Sequence, residues 1–182
     1  MLSDDERRTL LSLARRTVEA AARGEQRPDL ENPSGALREK GAVFISLRIR
    51  GELRGCIGHV EAVEPLWESC RDMAEAAAER DSRFPAVRPE ELPGLDVEVS
   101  VLSPLRRIRP EEIVVGRDGL VVRSPGGSGL LLPQVAVEWG MDAAEFLRRT
   151  YEKAGLRPGA PAELFAFSVE KLTAPPSGPA RA

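Results

Sequence analysis

The stretch VFISLRIRGELRGCIG, residues 43–58, alternates apolar and polar side chains in its first half and is interrupted by a glycine near its centre. Every second residue from Val43 to Ile49 is apolar, which predicts a strand with one buried face. Arg50-Gly51-Glu52 is predicted to form a tight turn, after which residues 53–60 return as a second strand. The stretch therefore predicts a hairpin with the segment LRGCIG, residues 53–58, on its return arm.

Apolar residues at helical spacing flank this hairpin on both sides. Ser3 and Glu6 have the spacing of a capping box, and the pattern that follows predicts a first helix over residues 4–23. Glu64 and Pro65 are predicted to open a second helix, which ends near Asp81.

The second half of the chain predicts shorter elements. They are a strand over residues 95–102, strands over 113–116 and 120–123, helices over 133–139 and 142–155, and a last strand over 165–169. Asp118-Gly119 predicts a type I′ hairpin turn, because both residues tolerate a positive φ. The glycine-rich segment 124–129 is predicted to be a flexible turn, with a backbone cradle for an anion as the alternative.

Together these elements predict an α+β fold with a mainly antiparallel sheet flanked by helices. A chain of 182 residues suits one domain, which we place at residues 1–172. The Pro, Gly and Ser composition of residues 173–182 predicts a disordered C-terminal tail.

The composition excludes several classes of protein. With 42% apolar and 30% charged residues and no apolar run long enough to span a bilayer, the chain is predicted to be cytoplasmic, without membrane association. A net charge of -3 with scattered basic residues argues against nucleic-acid binding. One histidine and two cysteines fourteen residues apart match no zinc site, so neither a metal nor a cofactor is predicted.

The chemistry of LRGCIG depends on which side chains share a face. Residues two apart on a regular strand point the same way, so Arg54 and Cys56 are predicted to be neighbours. A guanidinium beside a thiol lowers the pKa of the thiol, as a nucleophilic or ligand-binding cysteine requires. His59 would project from the opposite face unless a bulge at Gly58 brings it to the thiol. Alternatively, Cys56 packs as a small apolar residue, as Cys70 is predicted to do within its helix.

Five further segments accompany LRGCIG in a fixed order along the chain. They are Ala42–Ile45, Asp81–Pro85, Val97–Leu102, Gly116–Leu120 and Gly129–Ala136. Over about residues 5–172 the chain resembles the AMMECR-domain family, called protein A of the AmmeMemoRadiSam system in prokaryotes. It departs from the family pattern at Tyr151, where many relatives have a cysteine, which weakens any mechanism that needs a second catalytic thiol.

The resemblance implies an α+β fold with a larger and a smaller lobe and a cleft near the LRGCIG hairpin. It also implies two possible partners, a Memo-type protein related to extradiol dioxygenases and a radical-SAM protein. It implies no established reaction.

Two functions remain open. In the first, a cytoplasmic accessory or binding protein holds a small anionic ligand or a partner in a cleft around LRGCIG. The residues predicted to form that site are Arg54, Gly55, Gly58, His59, Asp81, Arg83, Phe84 and Gln134. The two arginines would supply forked donors, and the two glycines would let the ligand approach the backbone.

In the second function, the protein is a thiol-dependent enzyme. Cys56 would be the nucleophile, Arg54 would stabilise its thiolate, and His59 or Glu98 would carry the proton. We favour the binding protein, because a cysteine nucleophile usually needs a nearby base and Cys56 lacks a convincing one in the adjacent sequence, His59 being predicted to project from the opposite face.

Overall fold

The computed structural model describes residues 2–173, which form four α-helices, eight strands and three short 3-10 helices. The α-helices are α1 Asp4–Arg23, α2 Leu66–Glu79, α3 Pro133–Glu138 and α4 Ala143–Lys153. The strands are β1 Ala42–Ile49, β2 Glu52–Gly58, β3 Leu95–Leu102, β4 Arg106–Arg107, β5 Gly119–Ser124, β6 Gly127–Leu131, β7 Glu163–Phe167 and β8 Val169–Thr173. The 3-10 helices are Gly35–Arg38, Pro89–Gly94 and Pro110–Glu112. Within residues 2–173, each helix is too short or too polar to cross a membrane.

The described chain divides into two compact units. The first unit consists of residues 2–101 with residues 170–173, and the second consists of residues 102–169. Each unit contains a four-stranded sheet, so the predicted α+β class is confirmed.

The predicted hairpin is present in the first unit, where β1 and β2 pair antiparallel. Arg50 and Gly51 have φ values of 54° and 84°, the positive values that both central residues of a type I′ turn require. The register shifts between Leu47 and Arg48, which leaves Arg54 without a partner on β1 and marks a β-bulge. The strand order is β2-β1-β3-β8, so β2 is an edge strand.

Both helices of the first unit follow from local sequence signals. The Glu6 carboxylate accepts the Ser3 N–H at 2.7 Å, and the Ser3 hydroxyl accepts the Glu6 N–H, which completes the predicted capping box. Gly24, with a φ of 66°, ends α1 in the left-handed conformation. Cys70 of α2 is fully buried in the same hydrophobic core as Val18 of α1, and burial raises the pKa of the Cys70 thiol to about 12.

The sheet of the second unit has the order β4-β7-β5-β6, and all three neighbouring pairs are antiparallel. Its core is formed by Leu120 and Val122 of β5 with Phe146 of α4 and Ala166 of β7. The amphipathic α4, which begins at the predicted N-cap Asp142, is therefore held by its apolar face.

The predicted hairpin at Asp118-Gly119 is wrong. Neither residue has a positive φ, and residues 113–118 are loop rather than strand. Asp118 is buried, and its carboxylate accepts the Val114 N–H at 2.9 Å. A Cβ atom on Gly119 would lie 2.3 Å from the Phe167 ring. Burial of the carboxylate and close packing of the glycine, rather than a turn, explain this Asp-Gly pair.

The glycine-rich segment 124–129 contains the predicted turn, but only residues 125 and 126 form it. Ser124 is the last residue of β5, and residues 127–129 begin β6, which pairs antiparallel with β5. A Cβ atom would lie 2.2 Å from the Ala154 carbonyl oxygen at Gly127 and 2.3 Å from the Ala154 nitrogen at Gly129. These two glycines let the backbone that ends α4 pack directly on β6.

The last predicted strand is divided into two strands in the structure. The strand predicted over residues 165–169 is two strands, β7 and β8, with Ser168 between them. Thr173, predicted to begin the disordered tail, is the last residue of β8, and residues 174–182 of the predicted tail lie outside the described residues.

Candidate functional site

The outer edge of β2 is closed by side chains from the loop that follows α2. The Cys56 N–H donates to Asp81 Oδ2 at 2.8 Å, and the Cys56 carbonyl oxygen accepts from Arg83 Nη2 at 3.1 Å. An edge strand otherwise presents unpaired N–H and C=O groups. Asp81 and Arg83 therefore satisfy the backbone of Cys56 on the side where no further strand of the described chain pairs with β2.

Asp81 and Arg83 form a forked ion pair on this edge. Arg83 donates to Asp81 through Nε at 2.9 Å and through Nη2 at 2.7 Å. These bonds from Arg83 hold the pKa of Asp81 well below its usual range, with help from the Cys56 N–H and against the effect of burial. The Asp81 side chain is 5% exposed and the Arg83 side chain 55%, so the charge that faces solvent is the guanidinium.

The Cys56 thiol lies on the sheet face of Ser46. Cys56 and Ser46 are opposite each other in the register of β1 and β2, and their Sγ and Oγ atoms are 3.3 Å apart. Cys56 is partly exposed and forms no disulfide. The pKa of Arg83 is raised chiefly by its hydrogen bonds to Asp81, against burial, and the charge of Cys56 makes a smaller contribution in the same direction. Arg83 is therefore the guanidinium that contacts Cys56, through the carbonyl oxygen of that residue.

Arg54 is directed elsewhere. Its Nε and Nη2 donate to the two Glu91 carboxylate oxygens at 2.7 and 2.9 Å, and its Nη1 and Nη2 donate to the carbonyl oxygens of Pro85 and Ala86 at 2.8 and 3.1 Å. The predicted pairing of the Arg54 guanidinium with the Cys56 thiolate is corrected by this geometry. The physical reason is the β-bulge at Arg54, which interrupts the alternation of faces on which the pairing was based.

The contacts of Arg54 give it a structural role. Its side chain is only 13% exposed, and four of its five N–H donors are used within the protein. The hydrogen bonds from Arg54 also lower the pKa of Glu91, against the effect of burial. Arg54 thereby fixes the segment 85–91, which continues the loop carrying Asp81 and Arg83.

His59 is held on the helix side of the hairpin. Its Nδ1 lies 2.7 Å from the Glu61 carbonyl oxygen, and its Nε2 lies 2.8 Å from Oγ of Ser69, a fully buried residue of α2. The bulge in this hairpin lies at Arg54 rather than at Gly58, so it does not bring the imidazole to the thiol. His59 anchors the segment after β2 to α2, and its predicted role in ligand binding stays a prediction.

At both glycines of LRGCIG, the space where a Cβ atom would lie is occupied by other residues of the first unit. A Cβ atom at Gly55 would lie 2.5 Å from the Ala77 carbonyl oxygen of α2, and one at Gly58 would lie 2.3 Å from the Phe44 ring. The prediction that these glycines leave room for a ligand is therefore corrected: they leave room for a helix and for an aromatic ring.

The remaining predicted residues lie in two places. Phe84 is half-buried beside Arg83, whose guanidinium carbon is 5.5 Å from the centre of the Phe84 ring. Gln134 is on α3 in the second unit. Sequence reasoning missed Ser46 and Glu91. Ser46 was missed because counting back from the turn without a bulge pairs Cys56 with Ile45 instead.

The fold and this edge site define an α+β protein with a loop-capped edge strand that carries a half-exposed cysteine. The chain belongs to the AMMECR1 family, whose model matches residues 11–172. It is 47% identical over 165 residues to a protein of Methanothermobacter thermautotrophicus, covering 86% of each chain. It is 49% identical over 161 residues to a protein of Thermococcus gammatolerans, covering 82% of this chain and 78% of the relative.

A solved structure is similar over nearly the whole chain. The crystal structure of the uncharacterized protein PH0010 from Pyrococcus horikoshii matches with a TM-score of 0.84 at 40% identity, covering 93% of this chain and 92% of that one. The resemblance inferred from LRGCIG and its accompanying segments is confirmed.

Proposed function

We propose that the protein is a cytoplasmic binding protein whose site is the Arg83 surface, formed by Ser46, Cys56, Asp81, Arg83 and Phe84. This surface holds the anionic group of a small ligand or of a partner protein. The observation that carries the proposal is the state of the Arg83 guanidinium. Its Nε and Nη2 are fixed by Asp81 and by the Cys56 carbonyl, while its Nη1 makes no hydrogen bond within the described residues.

A guanidinium in this state is prepared for an anion. Its orientation is already set by Asp81, so less side-chain entropy is lost when a ligand binds. The two N–H groups of Nη1 remain to donate to the oxygens of a carboxylate or a phosphate. Phe84, 5.5 Å from the Arg83 guanidinium carbon, supplies an apolar side to the same surface.

The source of the anion is proposed from the family resemblance. A Memo-type protein or a radical-SAM protein would present an acidic side chain to Arg83, whereas a metabolite would present its own carboxylate or phosphate. Both sources require the same guanidinium, so one substitution tests both.

The test is a native pull-down in which bound proteins and small molecules are identified by mass spectrometry. Arg83→Gln removes the charge, and Arg80→Gln is the matched control. Arg80 also forms an ion pair on the surface, with Glu75 at 3.2 Å, and its side chain is 60% exposed. We expect a specific partner or metabolite to be recovered with wild type and Arg80→Gln but several-fold less with Arg83→Gln.

Two further measurements make that result decisive. Urea unfolding of each variant checks that the protein remains folded. Arg83→Lys separates charge from geometry, since lysine keeps the charge but cannot bind Asp81 through a fork and still donate from a separate nitrogen to the ligand. Equal recovery with folded Arg83→Gln and wild type would contradict the proposal.

A thiol-dependent enzyme is the second candidate, favoured by the partly exposed Cys56 and its contact with Ser46 at 3.3 Å. Arg83, which donates to the Cys56 carbonyl oxygen at 3.1 Å, takes the place first proposed for Arg54 in this candidate. The two proposed proton carriers have other contacts, His59 with Ser69 at 2.8 Å and Glu98 with Lys171 at 3.4 Å. The pH dependence of Cys56 alkylation tests this candidate, and an alkylation rate that follows an ordinary thiol pKa would contradict it.

A further inference from the structure

The second unit contains a cavity at one end of its sheet. Its volume is about 650 Å³, which is within the range of small-molecule sites. In the strand register Arg106 is opposite Ala166, and Gly119 is opposite Phe167, so the ends of β4, β7 and β5 meet there. The loop over residues 110–118, which contains the Gly-Arg-Asp of the Gly116–Leu120 segment, forms another wall.

Arg117 forms a fixed corner of this cavity. It donates to Asp118 through Nε at 2.8 Å and Nη2 at 2.9 Å, while Asp118 also accepts the Val114 N–H. Burial acts to raise the pKa of Asp118, but the bonds from Arg117 and Val114 and the charge of Arg106 hold it below its usual value. The Arg117 side chain is 55% exposed, and its Nη1 makes no hydrogen bond within residues 2–173.

Arg106 is the second cation of the cavity and has no acidic partner within 4 Å in the part of the chain that the structure describes. The rim carboxylates Glu111 and Glu112 are instead paired with Arg109, at 3.4 and 3.3 Å. The neighbouring Arg107 does not line the cavity and pairs with Glu163 at 3.3 Å. The charge of Arg106 helps to lower the pKa of Asp118 and of Glu112, but within residues 2–173 neither carboxylate pairs with it directly. Arg106 is therefore the cation of this cavity that can pair with a bound anion.

The other walls decide which anion fits. Pro104 and Val114 are exposed apolar residues on the rim, and Ala166 lies deeper. A phosphate dianion would leave most of the volume unfilled and would place two negative charges near Glu111 and Glu112. A singly charged acid with an apolar body avoids both costs.

We infer that this cavity is a binding site for a small organic acid, whose carboxylate pairs with Arg106 and Arg117 and whose apolar body lies against Pro104 and Val114. The two guanidiniums supply forked donors for one carboxylate. The site is formed by residues of the second unit alone and does not rest on the function proposed for the Arg83 surface.

The experiment is a titration of ¹⁵N-labelled protein with benzoate and with hexanoate, followed by amide chemical shifts. Benzamide, which has the shape of benzoate without the charge, is the ligand control. We expect saturable shifts at millimolar concentration that are confined to residues 103–118 and 166–168. Arg106→Gln should weaken binding by about tenfold or more, because a hydrogen bond between charged groups is lost. Arg107→Gln, next to it on β4, should leave the affinity unchanged.

Several results would overturn the inference. They are the absence of saturable shifts with both acids, equal binding of benzamide, equal effects of Arg106→Gln and Arg107→Gln, or inorganic phosphate binding as tightly as benzoate. Arg83→Gln should bind both acids like wild type, so a failure here is distinguishable from a failure of the proposed function.

Discussion

The carboxylate of Asp81 accepts the backbone N–H of Cys56 at 2.8 Å and ties the loop after α2 to the edge strand of the first sheet. Asp81 is also the residue that orients Arg83, through hydrogen bonds at 2.9 and 2.7 Å. One buried carboxylate thus protects the edge of β2 and positions the guanidinium on which the proposed function depends.

Replacement of Asp81 by asparagine should destabilise the protein. An amide cannot accept all four hydrogen bonds that Asp81 accepts from Cys56 and Arg83, and hydrogen bonds to charged groups are the stronger ones. We expect Asp81→Asn to lower the free energy of unfolding by about 1–3 kcal/mol, measured by urea denaturation. Asp4→Asn, at a carboxylate that is 80% exposed, should change it by less than about 0.5 kcal/mol. Equal effects of the two substitutions would contradict this prediction.

The same carboxylate should make stability depend on pH. Its pKa is lower in the folded protein than the unfolded value of about 3.9. Folding therefore favours the ionised form, and the stabilisation is complete above that unfolded value and declines as the pH falls below it. Wild type should lose more of its unfolding free energy than Asp81→Asn between about pH 7 and about pH 3, as urea denaturation at each pH would measure. Parallel losses in the two proteins would show that Asp81 does not contribute.

The two cysteines should differ strongly in reactivity. Cys70 is fully buried, and burial raises the pKa of its thiol to about 12, whereas Cys56 is partly exposed. Folded protein should react with iodoacetamide at Cys56 at least about a hundredfold faster than at Cys70, since thiolate and access are both required. Peptide mass spectrometry measures the two rates. Cys56→Ser should remove the fast reaction, and denaturant should equalise the two sites in wild type. Labelling of Cys70 in folded protein at the rate of Cys56 would contradict the burial of Cys70.

The packing of α4 on β6 should tolerate no side chain at Gly129. A Cβ atom there would lie 2.3 Å from the Ala154 nitrogen and 2.7 Å from the Thr150 carbonyl oxygen, both backbone atoms that cannot move independently. Gly129→Ala should lower the free energy of unfolding by about 1–3 kcal/mol. Gly94→Ala is the matched control, because a Cβ atom at Gly94 would meet no atom of residues 2–173 within 4 Å. A Gly129→Ala variant as stable as Gly94→Ala would show that β6 and α4 are farther apart than described.

The fold of the first unit could be predicted where the signals are local. The alternation over residues 43–49, the Arg50-Gly51 turn and the Ser3 capping box each depend on a few adjacent residues, and each is present. The Asp118-Gly119 signal is equally local, but it is misleading. The same two residue types are typical of a hairpin turn, whereas here Asp118 is a buried carboxylate and Gly119 packs under the Phe167 ring. Local patterns do not report which residues become buried by distant parts of the chain.

Periodicity, capping residues and ordered segments were enough to predict the hairpin, the helices of the first unit, the α+β class and the family. They did not predict which guanidinium contacts Cys56, because that contact forms only when the chain is folded. A bulge turns Arg54 toward Glu91, and the loop after α2 brings Arg83, 27 residues away in the chain, to the Cys56 carbonyl. The reason is that a bulge shifts the register by one residue and reverses the face of a side chain, and a loop contact joins residues that no local pattern relates.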